Sequence, residues 1–590
     1  MDQTIPTDGD RSVHHRAEQE YQRWLASGPH APEITADLKA IAGDPDAVFD
    51  RFYRDLSFGT GGLRGPLGAG TNRLNRYTVR RVTAGLGQYI RKTDKKAAER
   101  GVVIGYDCRH MSPEFALETA LTLCAQGVRA YVFEHLCPTP ELSFAVRHLG
   151  AAAGVMLTAS HNPPQDNGYK VYDHHGCQIL PGIADEVTAE IRNTGDLLRV
   201  PLAAREEAEA QGLLRFIGED VDAAYESAVL DAISVPDVTL EQRQGLSVIY
   251  TPLHGTGNVP VRRVLEQAGF ATLQVVPSQE LPDGDFPTVE SPNPEEPAAL
   301  AAAIELAKET AADLVLGTDP DADRVGVAVR TGDGEYQLLT GNQVGGLLVD
   351  FWLRTLRDRG ELPANAIVFK TVVTSDLGAA VATSYGVAVE DTLTGFKYIG
   401  ARATDYEQTG ERTFVFGYEE SYGYLASPIV RDKDAVQICL LVSLMAAAYK
   451  QSGKTLVDAL SDLYERAGYY QEALQSVTLP GAQGVQQMAA LMARLRSEGV
   501  EVPGQTPLAM EDYLARTRTF VDGHTEPLTL PESDVVKYLF TDASWIAVRP
   551  SGTEPKLKVY YGAKAETQRA CSRLLDTMQS AVADILKRGV

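Results

Sequence analysis

The sequence predicts an α/β protein: three similar mixed α/β domains and a smaller C-terminal α+β domain. Three observations predict it. The chain has 590 residues, too many for one hydrophobic core at roughly 100–200 residues per domain. One order of elements recurs three times along it. After about residue 470 that order gives way to another pattern. The expected division is a helical extension over 1–45 and four domains over 46–210, 211–340, 341–470 and 471–590.

The recurring order is strand, helix, helix-ending glycine, strand. In the first copy an apolar run over 102–106 leads to a helical stretch over 115–125, then Gly127 and a strand over 128–133. The second copy places these at 247–250, 261–267, Gly269 and 272–276; the third at 367–370, 377–384, Gly386 and 387–389. This is the pattern of a βαβ unit, with parallel strands and right-handed crossovers. Each copy continues through another helical stretch into a third apolar strand, over 154–157, 314–317 and 414–416. Each third strand runs directly into a polar loop: Thr158-Ala-Ser-His-Asn162, Thr318-Asp-Pro-Asp-Ala-Asp-Arg324 and Gly417-Tyr-Glu-Glu-Ser421. Ligands bind beyond the carboxyl ends of strands in open α/β sheets, so three equivalent loops predict one shared site. The last domain reads as strands over 544–548 and 557–561 and a terminal helix over 566–587.

Composition narrows the function. Hydrophobic residues make up 44% and charged residues 23% of the chain, an ordinary globular balance. The apolar stretch 435–449 contains Gln437 and Ser443 and reads as a buried helix. The first 16 residues are polar, so a cytoplasmic protein is expected. Cys108, Cys124, Cys137, Cys177, Cys439 and Cys571 are scattered and form no CxxC pair, which reads as reduced thiols. A formal net charge of -24 opposes nucleic acid and acidic membrane surfaces as partners. An anionic substrate therefore needs specific cations and backbone donors.

The loops carry that chemistry. Asp319, Asp321 and Asp323 alternate, so an extended loop turns all three carboxylates one way. Such hard oxygen donors suit magnesium or calcium. An EF-hand is excluded, because its sixth and twelfth positions here are Arg324 and Arg330. Ser160 lies between a small residue and a proline-stiffened turn, which predicts a hydroxyl at a loop tip, with His161 placed to move protons. Ser-His alone is a weak signal; beside a triple-aspartate loop it suggests a serine that carries phosphate. Arg549-Pro-Ser-Gly-Thr-Glu-Pro-Lys556 offers a guanidinium for bidentate phosphate binding, with donors at Ser551, Gly552 and Thr553. Glu419 and Ser421 alternate and can grip two sugar hydroxyls, although a Glu-Glu pair also suits a solvated turn. Phe58-Gly-Thr-Gly-Gly-Leu-Arg-Gly65 carries Thr60 and Arg64, a weak phosphate signal by itself. Lys397 and His254 are further cleft candidates.

Together the four loops resemble the α-D-phosphohexomutase superfamily, in family order from about Phe58 to Lys558. The length of the chain resembles the branch of phosphoglucomutases and phosphopentomutases. The resemblance implies four domains around a central cleft, with Ser160 as the phosphocarrier and its phosphate holding Mg2+ together with Asp319, Asp321 and Asp323. It implies that His161, Lys397 and Arg324 act at the reacting centre, and that Arg64, Lys170, Glu419 and Ser421 face the substrate; Thr60 and His254, from their own loops, are expected to face it too. Arg549, Ser551, Gly552 and Thr553 would hold the phosphate that is not reacting. The implied activity interconverts glucose 1-phosphate and glucose 6-phosphate, with glucose 1,6-bisphosphate as activator. Pentose or mannose phosphates, bisphosphate synthesis, and a metal-dependent sugar phosphatase are the alternatives.

Overall fold

The computed structural model describes residues 8–28, 30–59, 61–94, 96–478, 481–550 and 556–589. Thr60, Ser551, Gly552 and Thr553 lie outside the described residues. The chain divides into two compact units. The first comprises residues 1–338, 400–405 and 423–447, and the second 339–399, 406–422 and 448–590.

The first unit opens with helices Asp8–Ala26, Pro32–Ala40 and Pro45–Phe52. Proline at the first turn suits the second and third, since its missing N–H would be unpaired there anyway. Asp44 caps the third by accepting from Ala47 N at 3.0 Å. Their apolar faces (Trp24, Ile34, Leu38, Val48 and Phe52) close on Ala69, Tyr77 and Leu197, so the extension belongs to the core of this unit.

Behind it lies a six-stranded sheet in the order Gly62–Pro66, Asp166–Tyr172, Ala153–Leu157, Val102–Tyr106, Ala130–Phe133, Leu214–Ile217. The last four are parallel, and Val102–Tyr106 and Ala153–Leu157 are buried along their whole length, as strands covered on both faces must be. The parallel arrangement read from the sequence is incomplete, because Asp166–Tyr172 runs antiparallel to both its neighbours. The chain leaves the Ser160 loop and turns straight back beside the strand it came from. A tight return of this kind needs no crossover helix, so helical spacing gives no sign of it. The second sheet repeats the device. Ser247–Thr251 pairs in parallel with Thr272–Val275 and Leu314–Thr318, and after the aspartate loop Val325–Arg330 returns antiparallel to Leu314–Thr318.

In the second unit Ala366–Thr371 lies between Ala388–Thr392 and Thr413–Glu419, all parallel. The C-terminal part is a seven-stranded antiparallel sheet from Tyr469–Thr478 to Thr525–Pro527, packed with helices Gly481–Glu498 and Gln568–Gly589. Val372, Val373 and Leu393 of the parallel sheet pack on Tyr513, Trp545 and Tyr560 of the antiparallel one. Helix Ala435–Gln451 is buried through Ala447, and among the described residues no single helix is long and apolar enough to cross a membrane. None of the six cysteines forms a disulfide bond.

Candidate active site

Strand Ala153–Leu157 delivers the chain to Thr158, whose hydroxyl accepts from Ser160 N at 2.8 Å and turns the backbone sharply. Ser160 takes φ 53°, a left-handed conformation that costs a non-glycine residue roughly 1 kcal/mol or more. The loop is held from beneath by Arg109, whose side chain is wholly buried. Its Nη1 donates to the carbonyls of Pro163 at 2.8 Å and Asp166 at 3.0 Å; its Nη2 donates to Ser160 O at 2.6 Å and also to Asn162 O. Asp107 lies 3.4 Å from Nε, and the Phe286 ring covers the guanidinium. The returning strand fits closely above, since a Cβ on Gly168 would stand 2.3 Å from Thr158 O.

The sequence places this hydroxyl at a loop tip, and in the structure that tip is covered. Ser160 is only 3% exposed, because the aspartate loop closes over it. Ser160 Oγ donates to Asp319 Oδ2 at 2.8 Å and lies 3.2 Å from His161 Nδ1. With the serine hydrogen spent on Asp319, Nδ1 of His161 is the donor to Oγ. Burial and the cations of Arg324 and Arg64 push the His161 imidazole well below its usual range, so it is neutral at physiological pH.

The aspartate loop is shaped by its own backbone. Asp319 Oδ1 accepts from the N–H groups of Asp323 and Arg324, both at 3.0 Å, and Ala322 supplies a left-handed turn at φ 51°. Asp321 is fixed to the first sheet's helix Thr139–His148: Thr139 N donates to Asp321 O and Thr139 Oγ1 to Asp321 Oδ2, each at 2.9 Å. Lys170 Nζ lies 2.8 Å from Asp321 Oδ2 and 3.6 Å from Asp323 Oδ2, while Lys433 Nζ lies 2.8 Å from Asp323 Oδ2. Burial and the carboxylates of Asp323 and Asp321 drive the Asp319 carboxyl far above the usual range. Burial pushes Asp321 the same way, but Lys170 outweighs it and holds that carboxyl well below.

This donor set fits a hard divalent cation. The three buried carboxylates present oxygens within 4.8 Å of one another. Asp321 Oδ1 and Asp323 Oδ1 are buried and accept no hydrogen bond among the described residues. Buried acceptors are normally satisfied, and three carboxylates repel unless a cation joins them. The side chains that would hold it are Asp319, Asp321 and Asp323.

Of the other expected residues, Arg64 Nη1 donates to Asn162 Oδ1 at 3.1 Å, on the serine loop, and Arg324 pairs with Glu295 at 2.5 Å. His254 calls for a correction. It is 3% exposed, with Nδ1 3.2 Å from Leu281 O and Nε2 2.9 Å from Thr288 Oγ1, so both ring nitrogens serve the scaffold. In the second unit Glu419 is buried and accepts from Gly395 N at 2.8 Å, which ties the polar loop to the start of helix Phe396–Thr409. Lys397 lies over the Tyr398 ring on that first turn, Ser421 is half-buried, and Arg549 sits near the end of strand Trp545–Pro550 opposite Lys558. Arg109, Thr139 and Lys433 escaped the sequence reading. An Asp-x-Arg directly after a βαβ strand was a signal for the first; nothing local marks the other two.

The chain is similar to known proteins over most of its length. Residues 55–197, 223–332 and 340–467 match the alpha/beta/alpha domains I, II and III of the phosphoglucomutase/phosphomannomutase family, and residues 479–578 match its C-terminal domain. A phosphoglucomutase of Staphylococcus epidermidis is 40% identical over 86% of this chain and 90% of its own length. One of Staphylococcus saprophyticus is 37% identical over 87% and 91%. Among solved structures, parafusin, a phosphoglucomutase of Paramecium, shares the fold with a TM-score of 0.66 at 18% identity, over 91% of this chain and 94% of that one.

Proposed function

The chain belongs to the phosphoglucomutase/phosphomannomutase family, and from that premise we propose that it interconverts glucose 1-phosphate and glucose 6-phosphate through phosphorylated Ser160. The observation that carries this reading is the 2.8 Å bond from Ser160 Oγ to a buried triad of aspartates. A hydroxyl in that position can carry a phosphoryl group whose negative charge a cation on the triad would offset. The proposed cation is Mg2+.

In the forward half-reaction Ser160 gives its phosphoryl group to the free hydroxyl of the sugar monophosphate. The resulting bisphosphate turns end for end and returns its other phosphoryl to Ser160. Arg64 and Arg324 offset charge on the transferring group, and neutral His161 can donate a proton from Nδ1 to Oγ. Lys170 keeps Asp321 ionised. We assign Glu419 and Ser421 to the sugar hydroxyls, and Arg549 with Ser551, Gly552 and Thr553 to the phosphate that is not reacting. Glucose 1,6-bisphosphate would rephosphorylate a serine lost to hydrolysis.

A coupled assay across hexose, mannose and pentose phosphates, run with and without glucose 1,6-bisphosphate, tests the reading. Turnover highest with glucose 1-phosphate, raised by the bisphosphate and stopped by a chelator until Mg2+ returns, is expected. Full activity in exhaustively chelated enzyme, or release of inorganic phosphate as the main product, would contradict it. A second expectation concerns Arg549→Lys, which keeps the charge but loses the planar fork. One lost charge-assisted hydrogen bond costs about 1.5–3 kcal/mol, so kcat/KM should fall roughly ten- to a hundredfold. Decay of existing phosphoserine should change little, because water needs no second anchor. An unchanged kcat/KM would make this loop structural.

A further inference from the structure

Residues 430–434 form a strap in the first unit whose successive side chains are fixed to different elements. Arg431 is fully buried; its N–H donates to Ser143 Oγ at 2.9 Å and its Nε to Thr404 Oγ1 at 3.0 Å. Asp432 Oδ2 accepts from the Tyr172 hydroxyl at 2.8 Å, and Asp434 Oδ1 from the Tyr225 hydroxyl at 2.9 Å. Immediately afterwards Ala435 N donates to Ala322 O, within the aspartate loop, at 3.2 Å.

Between these fixed points stands Lys433, with 13% of its side chain exposed. Its ammonium lies 2.8 Å from Asp323 Oδ2 and 3.6 Å from Asp432 Oδ1. It therefore has two carboxylates within reach, one inside the triad and one outside it. Lys170 differs, since both of its ion pairs among the described residues, with Asp321 and Asp323, are inside the triad. Asp432 is prepared to receive a cation: Tyr172 satisfies one oxygen, and among the described residues the other accepts only from the adjacent Lys433 N–H at 2.9 Å.

We propose that Lys433 is a tethered counter-ion of the aspartate loop. It holds Asp323 while no divalent cation is bound, yields that carboxylate to the cation by moving onto Asp432, and so sets how tightly the loop binds metal. The proposal rests on the metal reading above. A cation that must first displace a resident ammonium binds more weakly by the fraction of loops already free of it. The resident charge keeps three buried carboxylates assembled in the metal-free protein, where their mutual repulsion would otherwise open the loop.

The test uses dephosphorylated full-length protein and four forms: wild type, Lys433→Met, Asp432→Asn and the double variant. Mg2+ binding is followed by calorimetry and Mn2+ binding by electron paramagnetic resonance, with thermal unfolding in metal-free buffer. Lys433→Met should bind both ions about tenfold more tightly and melt at a lower temperature without metal. Asp432→Asn should bind them several-fold more weakly, because the ammonium then loses the carboxylate that receives it. In the Lys433→Met background Asp432→Asn should have no further effect, since each site acts through the other. Unchanged or weaker binding by Lys433→Met overturns the proposal. So does an Asp432→Asn effect that persists in the double variant, which would be a plain field effect. An Asp323→Asn control separates the failures. If wild type binds neither ion, or Asp323→Asn binds as wild type does, the metal reading falls together with the proposal. If binding depends on Asp323 but ignores Lys433, the counter-ion alone is refuted.

Discussion

Ser160→Ala should lower kcat by at least about 10⁴-fold, with no rescue by glucose 1,6-bisphosphate, because the atom that accepts the phosphoryl group is gone. Folding should survive. The substitution removes one oxygen from a residue whose backbone is held independently, by the Thr158 hydroxyl on its N–H and by Arg109 on its carbonyl. What is lost is the donor to Asp319 Oδ2. The stability cost should be about 1–2 kcal/mol, the usual penalty for one buried acceptor left without its donor. Intact mass spectrometry after incubation with the bisphosphate should show a phosphorylated wild type and an unmodified variant. Turnover by Ser160→Ala within tenfold of wild type would mean that the phosphoryl group never rests on this residue.

The strands, the helix-ending glycines and the polar loops were readable from the sequence, because each has a local cause. Val102–Tyr106 is a continuous apolar run, buried on both faces; Gly127, Gly269 and Gly386 all take positive φ, as helix-ending positions require. The alternation of Asp319, Asp321 and Asp323 likewise reflects one backbone segment, and the structure brings those three side chains together. What stayed hidden depends on contacts far apart in the chain. Thr139 meets Asp321 from 182 residues away, and Tyr172 meets Asp432 from 260. No periodicity announces such pairs. The burial of Ser160 was missed for the same reason, since a loop from another sheet covers it. His254 shows the reverse error, where a histidine among glycine and threonine in a loop after a strand suggested a ligand-facing group. Its two ring nitrogens hold the 281 carbonyl and Thr288 instead.

Arg109 should be as indispensable to turnover as any residue that meets substrate, while never touching it. Its guanidinium gathers the carbonyls of Ser160, Asn162, Pro163 and Asp166, four points on the loop that presents the reacting hydroxyl. These carbonyls converge on one spot only because a planar, permanently charged group with five donors sits there. Arg109→Leu strands them in a buried site and leaves Asp107 without its cation. Removing one partner of a buried pair typically costs about 3–5 kcal/mol, and each stranded carbonyl adds to that. This variant should therefore melt far below wild type, and its inactivity would be uninformative about catalysis. Arg109→Lys is the informative change. It keeps the charge opposite Asp107, but three donors on a flexible stem cannot serve both edges of the loop. The protein should fold with the Ser160 hydroxyl displaced, and misplacement by about 1 Å is enough to lower kcat roughly a hundredfold. Substrate binding should be nearly normal, because the guanidinium lies beneath the loop, so KM should move little while kcat falls. Phosphorylation of Ser160 by the bisphosphate should slow by the same factor, measured in a single-turnover experiment. Wild-type kcat in a well-folded Arg109→Lys protein would show that the loop needs no such anchor. An increase in KM with kcat preserved would place Arg109 at the substrate instead of under Ser160.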